Sequence, residues 1–250
     1  MPSGAFEAQL VAARALAPTV RELTLERADG APMDFEPGQW VNLVWSGEGG
    51  DLKRAYSIAS APDGSPRFEL AVTRVEGGPG STRLHAMRIG ERIRCVGPSG
   101  FFARRVSDPT PAVFVGTGTG LTPLRSMIAA ALRAGSTAPM RLVFGVRHED
   151  DILYRDELAR WERDHGVRVH VVLSKPPPGW TGLSGWVQHH LAALAPELRG
   201  PDAVLWVCGL DRMVSAVRAL AKDELGLDRK RIKHERYDAA AATASTAVSV

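Results

Sequence analysis

The feature that most constrains this chain is a change of rhythm near residue 107. Before it, apolar residues come in short alternating bursts, at 6–12, 20–25, 40–44, 56–59, 68–75 and 92–96. Alternation puts every second side chain on one face of a strand, and short strands at this spacing predict an antiparallel barrel or sandwich. Pro37-Gly38, Asp63-Gly64-Ser65-Pro66 and Gly77-Gly78-Pro79-Gly80 punctuate the bursts, as tight turns require. After Ser107-Asp108-Pro109-Thr110-Pro111, read as a linker, the pattern becomes apolar strand, polar loop, amphipathic helix. Strands are predicted at 112–115, 140–146, 167–173, 203–208 and 232–237, and helices at 123–134, 155–165, 185–194 and 212–225. Ala203-Val204-Leu205-Trp206-Val207 is apolar throughout, which suits a strand buried on both faces of a parallel sheet. Pro123 has the fixed φ suited to a first helical position, and Asp211 is placed to cap the last helix. The expected organisation is an all-β domain over residues 1–107, a doubly wound α/β domain over 108–237, and a mobile tail over 238–250.

Bulk properties exclude several classes of function. With 250 residues, 44% of them hydrophobic, the chain is long enough for two cores. Its net charge of +3 is spread over both halves, with no basic stripe interleaved with aromatics, so no nucleic-acid partner is expected. Two cysteines, Cys95 and Cys208, are too few for a disulfide scaffold, a cysteine-rich zinc module or an all-cysteine iron-sulfur cluster. No metal site is expected, since the adjacent His189 and His190 do not share a helix face. The first ten residues lack a signal-peptide pattern, and no apolar run approaches the roughly 18 residues of a membrane span. A cytoplasmic protein without membrane insertion is expected.

Gly116-Thr117-Gly118-Thr119-Gly120-Leu121-Thr122-Pro123 joins the first apolar strand of the second half to a helix. Such a loop lets backbone N–H groups approach a phosphate at a helix N-terminus. It departs from the G-x-G-x-x-G fingerprint, because Gly120 comes one position early, and it lacks the lysine of a Walker loop. Taken alone it is equally a tight turn that needs small residues for packing.

A second motif, Arg54-Ala55-Tyr56-Ser57-Ile58-Ala59-Ser60, lies on a strand of the first half. Together with the glycine loop it resembles the ferredoxin-NADP reductase family. The resemblance runs through nearly the whole chain in order: Pro37-Gly38-Gln39-Trp40-Val41, the Arg54 motif, the glycine turn before Thr82, Gly97-Pro98-Ser99-Gly100, the Gly116 loop, Cys208-Gly209 and Glu235-Arg236-Tyr237. It implies a Greek-key barrel that binds FAD, followed by an α/β domain that binds NAD(P)H.

By that resemblance Arg54 pairs with the FAD pyrophosphate, for which a guanidinium offers a planar fork of donors. Tyr56 lies against the isoalloxazine ring, and Ser57 sits near the flavin N5 where hydride arrives. Gly80, Ser81 and Thr82 form a second pyrophosphate contact; on the residues alone they are also a hairpin loop followed by a helix cap. Gly116, Thr117, Gly118, Gly120 and Pro123 belong to the dinucleotide loop. Cys208 stands beside the nicotinamide, and Gly209 leaves room for its ring. Glu235 neighbours the flavin and Tyr237 shields it, although 13 residues follow Tyr237 where plant-type members end. The tail is therefore a second candidate cover for the flavin. Cys95, inside a barrel strand, is read as an inert buried thiol.

Arg147 at the end of the second strand, and Ser174-Lys175 at the end of the third, favour the extra phosphate of NADPH slightly over NADH. The following Pro176-Pro177-Pro178-Gly179-Trp180-Thr181-Gly182 resembles NADH-using oxygenase reductases of the superfamily. Without a fused iron-sulfur domain, the one-electron partner is expected to be a separate ferredoxin, flavodoxin or oxygenase component. Arg83, Arg88, Arg92, Arg94, Arg104 and Arg105 read either as a docking face for an acidic partner or as a solvated rim. An NAD(P)H:flavin reductase is the rival enzyme, and a nucleotide-sensing module the rival from another class.

Overall fold

The computed structural model describes residues 4–46 and 50–237, so the expectations for the tail over 238–250 lie outside the described residues. The first unit contains β1 (Gly4–Ala17), β2 (Val20–Arg27), β3 (Trp40–Trp45), β4 (Leu52–Ser57), β5 (Arg67–Thr73) and β6 (Arg92–Ser99), with one helix, α1 (Pro79–Ala86), before β6. The six strands form an antiparallel sheet in the order β4-β3-β6-β1-β2-β5. Its edges meet through an Ile58–Leu70 bridge and an Ala59 N–H to Glu69 carbonyl bond of 2.8 Å, which curls the sheet toward a barrel. Alternation produces its interior: Leu10, Leu23, Leu25, Leu43, Ile58, Phe68, Leu70 and Cys95 are fully buried in one cluster.

The second unit contains β7 (Ala112–Thr117), α2 (Leu121–Arg133), β8 (Met140–Val146), α3 (Arg155–His165), β9 (Arg168–Leu173), β10 (Leu183–Ser184), α4 (Val187–Leu194), β11 (Val204–Leu210), α5 (Asp211–Asp223) and β12 (Ile232–Tyr237). The parallel sheet has the order β10-β9-β8-β7-β11-β12. Side-chain parity divides its core. Val113, Val115, Leu205 and Val207 face a cluster with Val214 and Val217 of α5, while Phe114, Trp206 and Cys208 face one with Leu124, Met127 and Ile128 of α2. The α2-side cluster also takes in Val20, Ala71 and Phe102, so one apolar core runs across the junction of the two units. Burying that shared surface resists separation of the two units.

Several expectations shift in detail. Residues 79–86 are helical, so the helix starts within the segment whose alternative reading is a hairpin loop followed by a helix cap. Helix α2 starts at Leu121, which places Pro123 at its third residue; an N–H there has no intrahelical acceptor, so the ring does no harm. Asp211 is the first residue of α5 and caps nothing, because its carboxylate is held by Arg236 Nη1 at 2.6 Å. Arg104 belongs to neither a docking face nor a rim. It is 2% exposed, and its Nη2 donates to the carbonyls of Asp108 (2.8 Å) and Thr110 (3.0 Å), clamping the turn between the sheets.

Candidate active site

Strand order reverses between β7 and β11, and at such a switch point the loops diverge and leave a crevice at the carboxyl ends of the strands. The glycine loop rises from β7 into this crevice as a single 3-10 turn over Gly118–Gly120. Both readings of the loop have geometric support. A Cβ on Gly120 would stand 2.7 Å from the Cys208 carbonyl carbon and 2.8 Å from Gly209 Cα, so its hydrogen is needed for backbone packing. Gly118 has φ +53 with open space around its Cα, leaving that backbone accessible. Gly116 is buried against Leu124, while the buried Pro123 offers no donor to the crevice. Thr117 Oγ1 is buried without a hydrogen-bond partner, next to Gly209, whose φ of +150 suits glycine.

Opposite the loop, Ser57 ends β4 and faces the last strand. Tyr237 and Ser57 hydroxyls lie 2.7 Å apart, and Ser57 donates to Glu235 Oε1 at 3.2 Å. With one proton per hydroxyl, the consistent arrangement has Tyr237 donating to Ser57 and Ser57 donating to Glu235. Burial pushes the Glu235 carboxyl up to about 7, opposed by the Ser57 bond, so the group exchanges protons near neutrality. Cys208 is the register partner of Glu235 on the adjacent strand and is fully buried. Burial, and then the Glu235 charge, hold its thiol well above the usual range; it is a neutral packing and positioning group rather than a thiolate. Cys95 is also buried, and desolvation lifts it to about 12.

Ser57, Glu235 and Tyr237 border a cleft of about 540 Å³ between barrel and sheet, whose lining also includes Trp40, Arg54 and Tyr56 on one side and Thr119 and Thr122 on the other; Cys208 lies buried behind it. Desolvation raises the Tyr56 phenol to about 12, so it stays a neutral amphipathic plate. At one end α1 points its N-terminus inward. Its first turn leaves the N–H groups of Gly80 and Ser81 without intrahelical acceptors. A Cβ on Gly80 would lie 3.0 Å from Arg54 Cγ and 3.4 Å from Tyr56 Oη, so glycine keeps this corner open. The Ser81 hydroxyl is occupied with the turn, accepting from Val75 N–H (3.1 Å) and donating to the Gly78 carbonyl (3.1 Å). Thr82 is exposed, outside the lining, and its N–H bonds Gly78. A guanidinium, free N–H groups at a helix start and a gap beside them match the chemistry of a diphosphate, and the aromatic plates match a flat ring. The donor set fits FAD.

Farther along the carboxyl edge, Ser174 N–H bonds the Val146 carbonyl and Lys175 N–H bonds the Arg147 carbonyl, so both cations leave neighbouring strands side by side. Among the described residues, neither Arg147 nor Lys175 has a carboxylate within 4.0 Å, unlike Arg236 or Arg155. Gly185 N–H bonds the Leu173 carbonyl, which delivers Trp186 to the same edge. Trp186 is half exposed with Arg212 stacked 5.5 Å from its ring, an aromatic plate that sequence patterning does not find. The sequence pattern places Trp186 inside a helix over 185–194, whereas α4 begins at Val187 and leaves Trp186 extended before it.

Comparison with known proteins agrees with this geometry. The oxidoreductase FAD-binding domain family matches residues 7–103, and the oxidoreductase NAD-binding domain family matches residues 114–219. Ferredoxin--NADP reductase B of Sorangium cellulosum is 56% identical over 238 residues, covering 93% of this chain and 98% of that one. The reductase component of the naphthalene dioxygenase system of Pseudomonas putida is 32% identical over 82% of this chain, and 61% of its own length is spanned. An Amycolatopsis cytochrome P450 reductase superposes with a TM-score of 0.83 at 30% identity, over 95% of this chain and 71% of the other. A Neisseria gonorrhoeae ferredoxin NADP+ reductase with bound FAD and NADP shares the fold, with a TM-score of 0.78 at 22% identity over 93% and 98% of the two chains. Antiparallel barrel, parallel switch-point sheet, the cleft between them and these matches converge: the chain belongs to the ferredoxin-NADP reductase family of FAD- and NAD(P)-binding oxidoreductases.

Proposed function

We propose that this chain transfers hydride between NAD(P)H and FAD, and exchanges single electrons with a separate carrier protein, a ferredoxin in the first instance. The observation that carries the reading is the convergence of Ser57, Cys208, Glu235 and Tyr237 where barrel cleft and switch-point crevice meet. Bound FAD supplies exchange between two-electron and one-electron chemistry. The boundary between the units is taken near residue 107.

The chain's own residues hold and orient the reactants. Arg54 and the N–H groups of Gly80 and Ser81 bind the FAD diphosphate; Thr82 is left outside this set because its N–H is engaged. Tyr56 and Tyr237, which line the cleft, would hold the flavin ring by stacking and exclude water from it. Thr117 Oγ1, buried and unpartnered, receives the nicotinamide carboxamide, Gly209 leaves room for the ring, and Cys208 packs against it. The backbone of Gly116, Gly118 and Gly120 approaches the dinucleotide phosphates. Arg147, Ser174 and Lys175 take the 2′-phosphate of NADPH, and Trp186 offers a face to adenine. A proton reaching the Ser57 hydroxyl passes to or from Glu235, whose carboxyl titrates near neutrality.

The test is anaerobic reduction of the FAD-bound protein by NADPH and by NADH, followed by mixing with ferredoxin, flavodoxin or an oxygenase component. Rapid bleaching by NADPH and reoxidation by ferredoxin are expected. A flavin that neither nucleotide reduces would overturn the hydride-transfer reading. Reoxidation by flavodoxin or an oxygenase component alone would overturn the ferredoxin assignment.

A further inference from the structure

We propose that Arg125 is the positioning residue that sets how closely the nicotinamide side of the crevice approaches the flavin side; this rests on the hydride-transfer reading above. Arg125 is 9% exposed and lies in α2, five residues beyond Gly120, which abuts Cys208. Its Nη1 donates across the junction to the Ala59 carbonyl (2.9 Å) and to Glu69 Oε2 (2.6 Å). Ala59 is two residues beyond Ser57. One guanidinium therefore ties the strand end that presents Ser57 to the helix that holds the glycine loop against Cys208.

A second nitrogen and one flat face of the guanidinium are also occupied. Nε donates to Glu157 Oε2 of α3 at 2.7 Å, and the carbon centre lies 4.1 Å from the centroid of the Tyr154 ring. Tyr154 is the non-glycine residue with positive φ among the described residues (54°), a backbone state that surrounding contacts must maintain. It is buried next to α3, and its hydroxyl has no hydrogen-bond partner among the described residues. Ser126, the next residue of α2, donates to the Ser60 carbonyl at 2.7 Å.

Apolar contact across the junction resists separation but tolerates sliding, because it has no direction. A planar fork held by a carbonyl and two carboxylates fixes both distance and rotation, and a lysine does not reproduce it. Hydride transfer depends steeply on alignment, and displacement by about 1 Å costs about a hundredfold in rate. The cluster thus controls the chemical step without touching either reactant.

The experiment compares Arg125→Lys with wild type in FAD-bound form, reading FAD stoichiometry, NADP+ affinity, the anaerobic rate of flavin reduction and the long-wavelength nicotinamide–flavin charge-transfer absorbance. Arg141→Gln is the control. Arg141 is buried at the amino end of the sheet, where it pairs with Glu197, so its loss lowers stability away from the crevice. Should Arg125→Lys not fold, Glu69→Ala removes one acceptor of the same guanidinium across the junction. We expect unchanged FAD content, NADP+ affinity within about threefold, reduction slowed about tenfold or more, and a weakened charge-transfer band. Wild-type rate and band in Arg125→Lys, or an equal slowing in Arg141→Gln, would overturn the proposal. Failure of the wild type to be reduced by either nucleotide would instead remove the hydride-transfer reading, and this role with it.

Discussion

Replacing Glu235 by Gln makes the cleft's buried carboxyl a direct measure of its environment. Desolvation lifts this group from 4.5 to about 7, and the Ser57 hydrogen bond offsets only part of the shift. At about 1.4 kcal/mol per pH unit, the displacement corresponds to about 3 kcal/mol between protonation states. The folded protein holds the proton more tightly than the unfolded chain. The stabilisation is therefore complete below about 4.5 and is lost as pH rises through about 7. Glutamine keeps the acceptor for Ser57 and is neutral at every pH, so the variant escapes that loss. Urea denaturation of both FAD-bound proteins from about pH 4.5 to about pH 8.5 cancels the titrations they share. The two should have similar stability at the acid end, and the variant should be more stable by about 3 kcal/mol at the alkaline end, with most of the change between about 4.5 and 7. A difference that stays constant across this range would show that Glu235 titrates normally, and the account of its desolvation would be wrong.

Arg54→Ala should lose about tenfold or more in FAD affinity, as expected for a lost charge-assisted bond, read as the FAD-to-protein ratio after gel filtration; normal retention would remove Arg54 from the diphosphate site. Cys208→Ala should keep its flavin yet slow single-turnover reduction by about tenfold, and an unchanged rate would assign the thiol to packing alone. Gly120→Ala should lower stability by about 2 kcal/mol or more in thermal melts, because the new methyl meets the Cys208 and Gly209 backbone rather than a movable side chain. Lys175→Ala should weaken kcat/KM for NADPH by about tenfold while sparing NADH; equal losses would place the 2′-phosphate elsewhere.

Much of the architecture was legible because it rests on local patterns. The run from Ala203 to Val207 announced a strand buried on both faces, and the structure divides its side chains between two helix layers. The Arg54 motif and the Cys208-Gly209 pair stood out through their resemblance to the family, and the strand of the Arg54 motif and the neighbour of the Cys208 strand border one cleft. Helix α1 was obscured because Gly77, Gly78, Pro79 and Gly80 signal a turn; its short length gives little periodicity, and burial of Leu84 supports it from the barrel side.

By itself the sequence determined most of the strands and helices and the glycine-rich turn between β7 and α2, since those follow from side-chain period and backbone conformation. Tertiary structure alone decided that Gly120 packs on Cys208, that Arg104 is buried and that Arg125 bridges the two units. The physical reason is that Gly120 and Arg125 meet backbone and carboxylates tens of residues away, while Arg104 is buried by a turn that folds its near neighbours Asp108 and Thr110 back over it between the sheets. Periodicity describes which face a side chain takes and carries no information about what the fold brings to meet it.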